Sequence, residues 1–216
     1  MKKKFNILFD LDGTLTDPQE GITGSIKYSL EKLGETIPDN LDWCIGPPLS
    51  ESYQKILTHN SPAAIQQAIA YYRERFEAVG LYENKIFPYI PELLQFLNES
   101  GHQLFVATAK PTIYAKKIIK HFKMDVHFKE IYGSELDYTR MDKGELITYL
   151  LQQELIAPEQ TYMIGDREHD LIGARKNGIT ALAVLYGYGS YAELSRHNPH
   201  KMFNSPAEIK DFFEKI

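Results

Sequence analysis

One cysteine, Cys44, in 216 residues leaves no internal disulfide to hold the chain, so its core alone must stabilise it, and the sequence suits a reducing, cytoplasmic setting. Cys44 itself reads as a small packed residue. No apolar run approaches the roughly 20 residues of a membrane span. The run behind the opening "MKKK" stops at Asp10, too short for a secretory core. Positive charge is not in surplus either: 24 Lys and Arg against 29 Asp and Glu give a formal charge of −5, without the basic stripe that a nucleic-acid polymer demands. The histidines, at 59, 102, 121, 127, 169, 197 and 200, show no paired zinc spacing. Repeats and low-complexity stretches are lacking as well. What remains is an ordinary globular composition, 43% hydrophobic and 25% charged, long enough for a full core and a second small domain.

Strand-like apolar runs end at Phe9, Thr108, Tyr132, Ile164 and Leu185, with helical patterns between the later ones. That alternation predicts an α/β fold with a parallel sheet covered by helices. Between the first two runs the pattern is helical only: Ile22, Ile26, Leu30 and Leu33 share one face, and Ile65, Ile69, Tyr72, Phe76 and Val79 another. The expected division is therefore an α/β core from residues 1–16 and 88–216, and a helical insertion over 17–87. Hinges are expected at 16–21 and 83–88, before a helix opening at "PYIPELL".

The first strand runs into "FDLDGTLTD", which crowds Asp10, Asp12 and Asp17 at a strand end, where desolvated carboxylates are costly. A second cluster, Asp166 and Asp170 in "GDREHD", follows the fourth run. Ligands of parallel sheets sit beyond the carboxyl ends of the strands, so Asp10, Asp12, Asp166 and Asp170 are expected to converge on one site. Four carboxylates without neutralisation repel, and an all-oxygen set suits a hard cation, Mg2+ first among them. Thr108 in "VATAKPT" and Lys143 in "RMDKGEL" add a hydroxyl and a fixed positive charge, which together suit in-line phosphoryl transfer. Lys110, Arg167 and His169 read as solvated or structural neighbours. Asp17 is expected to cap the next helix or fix its loop, and Thr108 to be compatible with a helix N-cap. "YGYGSYA" fits the G-x-G-x-x-A dinucleotide fingerprint, with too little chain expected after it for a strand–helix–strand unit, and reads as a loop.

Taken in order, "DLDGTLTD", "VATAK", Lys143 and "GDREHD" resemble the four motifs of the haloacid dehalogenase-like (HAD) hydrolases, across nearly the whole chain. "GPPL" and "GDREHDLIGARKNGI" resemble the phosphoglycolate phosphatase-like branch more narrowly. The resemblance implies a Rossmann-like parallel sheet with helices on both faces and an inserted small helical cap. It implies a Mg2+-dependent phosphatase in which Asp10 is the nucleophile and Asp12 the general acid and base. The metal would be held by the side chains of Asp10 and Asp166 and the backbone carbonyl of Asp12, with Asp170 acting through water or orienting Lys143. Gly13, Thr14, Thr108, Ala109, Lys110 and Lys143 would bind the phosphoryl group, Gly13 allowing a sharp turn. Ala109 stands where a Ser or Asn is frequent and keeps only the backbone donor.

The partner implied is a small phosphorylated metabolite, phosphoglycolate or a nucleoside monophosphate, with the leaving group read by Gly46, Pro47 and Pro48 of the cap. Trp43 beside them is expected to pack within the cap. A phosphomutase shares nearly all of this chemistry. A phosphoacceptor signalling domain has its aspartate on a middle strand and no helical insertion, and a dehalogenase lacks the acid present here as Asp12.

Overall fold

The structure is a computed structural model that describes residues 3–216; Met1 and Lys2 of the opening lysine run lie outside the described residues. The chain divides into two compact units, Met1–Asp17 with Ile86–Ile216, and Pro18–Lys85. In chain order the elements begin with β1 (Asn6–Phe9), β2 (Thr16–Asp17), α1 (Gln19–Leu33), α2 (Leu49–Ile56), α3 (Pro62–Arg75), β3 (Lys85–Ile86) and α4 (Ile90–Glu99). Then come β4 (Gln103–Pro111), α5 (Thr112–His121), β5 (Glu130–Ser134), α6 (Lys143–Glu154), β6 (Thr161–Gly165) and α7 (Glu168–Lys176). The chain closes with β7 (Thr180–Val184), α8 (Tyr191–Ser195), β8 (Lys201–Phe203) and α9 (Pro206–Glu214).

The larger unit is built on a six-stranded parallel sheet in the order β5-β4-β1-β6-β7-β8. Its central strands are buried on both faces, which is why they are read in sequence as unbroken apolar runs rather than alternating ones. From β1 the chain steps to β4 and β5 on one side, then returns to β6 and continues to β7 and β8 on the other. Right-handed crossovers in opposite directions put their helices on opposite faces. Leu8, Phe105, Ala107 and Met163 accordingly pack against Leu146, Ile147 and Leu150 of α6 and Ala174 of α7. The alternate residues Ile7, Phe9, Leu104 and Val106, equally buried, point to the other face, where α4 and α5 lie against β4. The reversal beside β1 opens the crevice in which doubly wound sheets bind ligands. Phe9 pairs with Val106 on one side and Ile164 on the other, so β1 and β6 end at nearly one level while β4 runs on past them to Pro111.

The smaller unit is helical. Ile22, Ile26 and Leu30 of α1 and Ile65, Ile69 and Tyr72 of α3 are buried, and the two helices contact each other. Its chain ends are drawn together by the Gly21 N–H donating to the Glu83 carbonyl at 3.0 Å. Arg75 holds the Glu83 carboxylate with both guanidinium nitrogens at 2.8 and 2.9 Å. The buried hydroxyls of Ser29 and Tyr53 share a hydrogen bond.

Several expectations need correction. Val79 is 48% exposed and leaves the buried stripe, because α3 gives way to a π-helical turn (Phe76–Gly80) whose wider winding rotates it off that face. The two-residue strands β2 and β3 fall in or beside a segment expected to be helical throughout. β8, only three residues at the sheet edge, is too short to register as a run. The strand expected to end at Thr108 continues to Pro111, so Thr108 lies four residues before α5 and does not cap it. Asp17 does not cap α1 either: the N-cap position is Pro18, with no side-chain bond. Trp43 is 39% exposed, with the Lys55 ammonium over its ring, rather than packed inside. Cys44 is buried and free. Among the described residues no helix is long and apolar enough to cross a membrane.

Leu150→Ala should destabilise the larger unit by about 2–5 kcal/mol, the usual cost of a truncated leucine in a packed core. Urea unfolding followed by circular dichroism measures it, and a loss below about 1 kcal/mol would mean that the α6 layer is loosely packed.

Candidate active site and cation centre

The acidic site forms where the ends of β1 and β6 coincide beside β4. Asp10 follows β1 directly, and its N–H donates to the Ile164 carbonyl of β6 at 2.9 Å. Asp166 follows β6, and Asp170 is in the first turn of α7, where its carboxylate accepts the Arg167 N–H at 3.1 Å. The carboxylates of Asp10, Asp166 and Asp170 each offer an oxygen within 4.8 Å of the others, and all three residues are buried. Lys143, first residue of α6, lies among them. Its ammonium is 3.0 Å from Asp10 Oδ1 and 2.7 Å from Asp170 Oδ1, and it hydrogen-bonds the Ala107 carbonyl of β4 at 2.8 Å. Asp142 before it caps α6 by accepting the Glu145 N–H at 3.0 Å, which fixes where the helix begins and hence where Lys143 stands.

The Asp12 carboxylate is not in this cluster. It pairs with Lys110, Oδ2 to Nζ at 2.7 Å, with both side chains nearly buried, while its Oδ1 is buried without a hydrogen bond. Of the four acids expected around a cation, three side chains therefore converge, and Asp12 is left with its backbone carbonyl for that role. Lys110, expected as a solvated or structural neighbour and a phosphoryl contact, has its side chain buried against Asp12, a pairing that only the fold brings about.

The other expected residues are placed as follows. Thr108 is buried, and its hydroxyl accepts the Lys110 N–H at 3.2 Å. The Ala109 carbonyl accepts the Ser134 hydroxyl at 2.7 Å. Gly13 has a φ of 81°, and a Cβ there would lie 2.2 Å from Asp166 Oδ2, so the turn admits glycine alone. Thr14, expected to bind substrate, is fully buried and donates its hydroxyl to Asp166 Oδ1 at 3.3 Å. Asp166 Oδ2 accepts the Tyr188 N–H at 2.8 Å, a contact absent from the expected set. Arg167 pairs with Glu193, and His169 is exposed. Gly46, Pro47 and Pro48 belong to the helical unit, where they link a 3-10 turn (Asp42–Cys44) to α2, Gly46 at a φ of 103°.

Electrostatics gives the arrangement its meaning. Burial raises the Asp166 carboxyl well above its ordinary value, reinforced by the charges of Asp10 and Asp170 and opposed by the Tyr188 N–H. Burial also pushes Asp170 up, to about 6, against the pull of Lys143, and raises Asp12 against the pull of Lys110. Burial pulls the Lys143 ammonium down, but Asp10 and Asp170 beside it raise it above its ordinary value. When ionised, the three converging carboxylates exceed the one ammonium among them, Lys143, by two negative charges. Three converging buried carboxylates with that surplus fit a hard divalent cation such as Mg2+.

A family comparison agrees with the motif order. The profile of the haloacid dehalogenase-like hydrolases matches residues 7–184. The chain belongs to this family. Among HAD-like relatives, a protein named 5'-nucleotidase from Pseudomonas aeruginosa is 53% identical over 211 residues, 97% of this chain and 95% of its own. A phosphoglycolate phosphatase from Mannheimia succiniciproducens is 28% identical, covering 97% of this chain and 98% of its own. The crystal structure of a predicted phosphatase from Clostridium acetobutylicum superposes with a TM-score of 0.92 at 40% identity, over 99% of this chain and 100% of that one. The HAD-like fold is thus shared along the full chain, inserted helices included.

A carboxyl that holds its proton more tightly folded than unfolded adds stability at low pH and loses it as pH rises above the ordinary carboxylate range. In chelator, wild type should therefore fall progressively behind Asp166→Asn in Tm as pH rises above about 4, the ordinary carboxylate range. Added Mg2+ should raise the wild-type Tm and leave that of Asp166→Asn nearly unchanged. Calorimetry checks both, and a wild-type Tm indifferent to Mg2+ would contradict the cation centre.

Proposed function

We propose that this chain is a Mg2+-dependent phosphatase that hydrolyses a small phosphomonoester through an aspartyl-phosphate on Asp10. The observation that carries the reading is the convergence of three buried carboxylates, Asp10, Asp166 and Asp170, around the single ammonium of Lys143 beyond β1 and β6, with the Asp12–Lys110 pair beside them. The Asp10 and Asp166 side chains and the Asp12 carbonyl would hold the cation, with Asp170 the third carboxylate of the cluster and the orienter of Lys143. When bound, Mg2+ offsets the charge of the phosphoryl oxygens, so that one anion can approach another.

Asp10 has the geometry of a nucleophile held by one oxygen. Lys143 engages Oδ1, and Oδ2 is left to attack phosphorus as the bond to the leaving oxygen breaks. Asp12, raised by burial, gives its proton to that oxygen. As a carboxylate it then takes a proton from the water that attacks the aspartyl-phosphate, releasing inorganic phosphate and restoring Asp10. Lys110 offsets the carboxylate form of Asp12 between the two steps. The Thr108 hydroxyl, accepting from Lys110 N–H, retains its own proton for a phosphoryl oxygen, beside the backbone donor of Ala109.

These groups recognise the phosphoryl group alone, so we assign leaving-group selection to the Gly46, Pro47 and Pro48 turn. Nucleoside monophosphates and phosphoglycolate are the leading substrates, the first favoured by the 53% identical 5'-nucleotidase. A cytoplasmic location is part of the reading, on the single free cysteine.

A panel of phosphomonoesters with Mg2+ is expected to release inorganic phosphate; rearranged sugar phosphates without phosphate release would indicate a phosphomutase. Asp10→Asn should abolish turnover with the circular dichroism spectrum intact, and near-normal rates in that variant would overturn the nucleophile. Asp12→Asn should slow turnover by about a hundredfold, as expected for loss of a general acid. Substitutions at 46–49 should reorder kcat/KM among substrates while sparing phosphoenzyme formation from acetyl phosphate. A uniform loss would instead mark that turn as a structural support.

A further inference from the structure

Residues 186–189, the "YGYG" that fits a dinucleotide fingerprint by spacing, do stand in a strand–helix–strand unit, because α8 and β8 follow. The glycines serve another purpose. A Cβ on Gly187 would lie 2.4 Å from Asp166 Cβ and 2.3 Å from the Gly13 carbonyl oxygen. On Gly189 it would lie 1.8 Å from the Asp166 carbonyl oxygen. Neither position has a positive φ, so the missing side chain answers the close approach of the Asp166 backbone and carboxylate rather than a special conformation.

The tyrosines complete the contact. The Tyr188 N–H donates to Asp166 Oδ2 at 2.8 Å, and its hydroxyl donates to the Asp17 carboxylate. The Tyr186 hydroxyl donates to the Thr14 carbonyl at 3.0 Å, and its ring meets Phe87 edge-on, centroids 5.1 Å apart. The Leu185 N–H donates to the Phe203 carbonyl of β8 at 2.8 Å, anchoring the base of the loop in the sheet. The circuit closes through the Thr14 hydroxyl on Asp166 Oδ1. One loop thus holds one oxygen of Asp166 and the segment that holds the other.

We propose that residues 186–189 are the positioning element of the cation centre: they fix the Asp166 carboxylate for the cation and lock residues 14–17 against it, so that cation binding and the order of that segment are linked. This rests on the cation centre of the proposed function. A buried carboxylate facing Asp10 and Asp170 gains by turning away from them, and donors on both of its oxygens remove that freedom before a cation arrives. Because Tyr186 and Tyr188 reach 14–17 through their hydroxyls, a ligand that favours the fixed Asp166 must equally favour the ordered segment.

Isothermal titration with Mg2+ on wild type, Tyr188→Phe and Gly187→Ala, with hydrogen exchange of residues 14–17 with and without Mg2+, tests the linkage. Tyr188→Phe keeps the N–H and loses only the hydroxyl; it should weaken Mg2+ binding by about tenfold, and Gly187→Ala by about ten- to a hundredfold, the range for groups that orient metal ligands. Mg2+ should protect the 14–17 amides in wild type, and Tyr188→Phe should lose that protection. Should Gly187→Ala fail to fold, Tyr188→Phe decides alone. Wild-type affinity and wild-type protection in Tyr188→Phe would overturn the inference while leaving the cation centre standing. Absence of Mg2+ binding by the wild type would overturn the centre and this inference with it.

Discussion

The Lys143 ammonium, buried between Asp10 and Asp170, is the interaction on which the acidic site depends. Without it three carboxylates would converge unopposed in a medium that strongly disfavours charge, and the strand ends could not stay together as anions. With it one repulsion is answered and another is left. Lys143 reaches its place through the Asp142 cap that starts α6 at that residue, and through the Ala107 carbonyl, so a helix boundary and a strand end jointly decide an electrostatic outcome. A second buried pair, Lys110 with Asp12, neutralises the neighbouring acid without touching the cluster.

The division of acids into two environments underlies the proposed chemistry. Asp10, Asp166 and Asp170 keep excess charge, the property of a cation site, whereas Asp12 is paired with a single lysine and raised by burial, the property of a group that exchanges protons. Two aspartates only two positions apart meet different partners, Asp10 the Lys143 ammonium and Asp12 that of Lys110. The structure keeps a costly arrangement at this one place and an ordinary packed sheet elsewhere, as functional sites commonly do.

The scaffold explains the convergence. A parallel sheet whose connections reverse beside β1 brings the residues following β1 and β6 into one crevice, flanked by the last residues of β4. Helices bury both sheet faces, and the loop that holds Asp166 leads from β7 into α8. The helical unit has its own stabilising logic, with the Arg75–Glu83 pair and the Gly21–Glu83 hydrogen bond drawing its ends together.

The α/β class, the helical insertion and the acidic strand ends were legible in the sequence because each rests on local information: unbroken apolar runs, helical periodicity, and aspartates where a strand former should stand. Lys143 was legible only by its order among motifs, and Lys110, Tyr186 and Tyr188 not in their roles, since nothing local distinguishes a buried lysine or a clamping tyrosine from a solvated one. The β8 strand escaped because three residues are too few to show a pattern, and the π-helical turn because its winding departs from the helical period that placed Val79 on the buried face. The hydrogen bond from Thr14 to Asp166 was not legible either, since it joins residues far apart in the chain. The sequence by itself determined which residues could be charged, apolar or turn-forming. The tertiary structure alone decided which charges meet, because pairs such as Lys110 with Asp12 and Tyr188 with Asp166 join strand ends that only sheet register brings within hydrogen-bond reach.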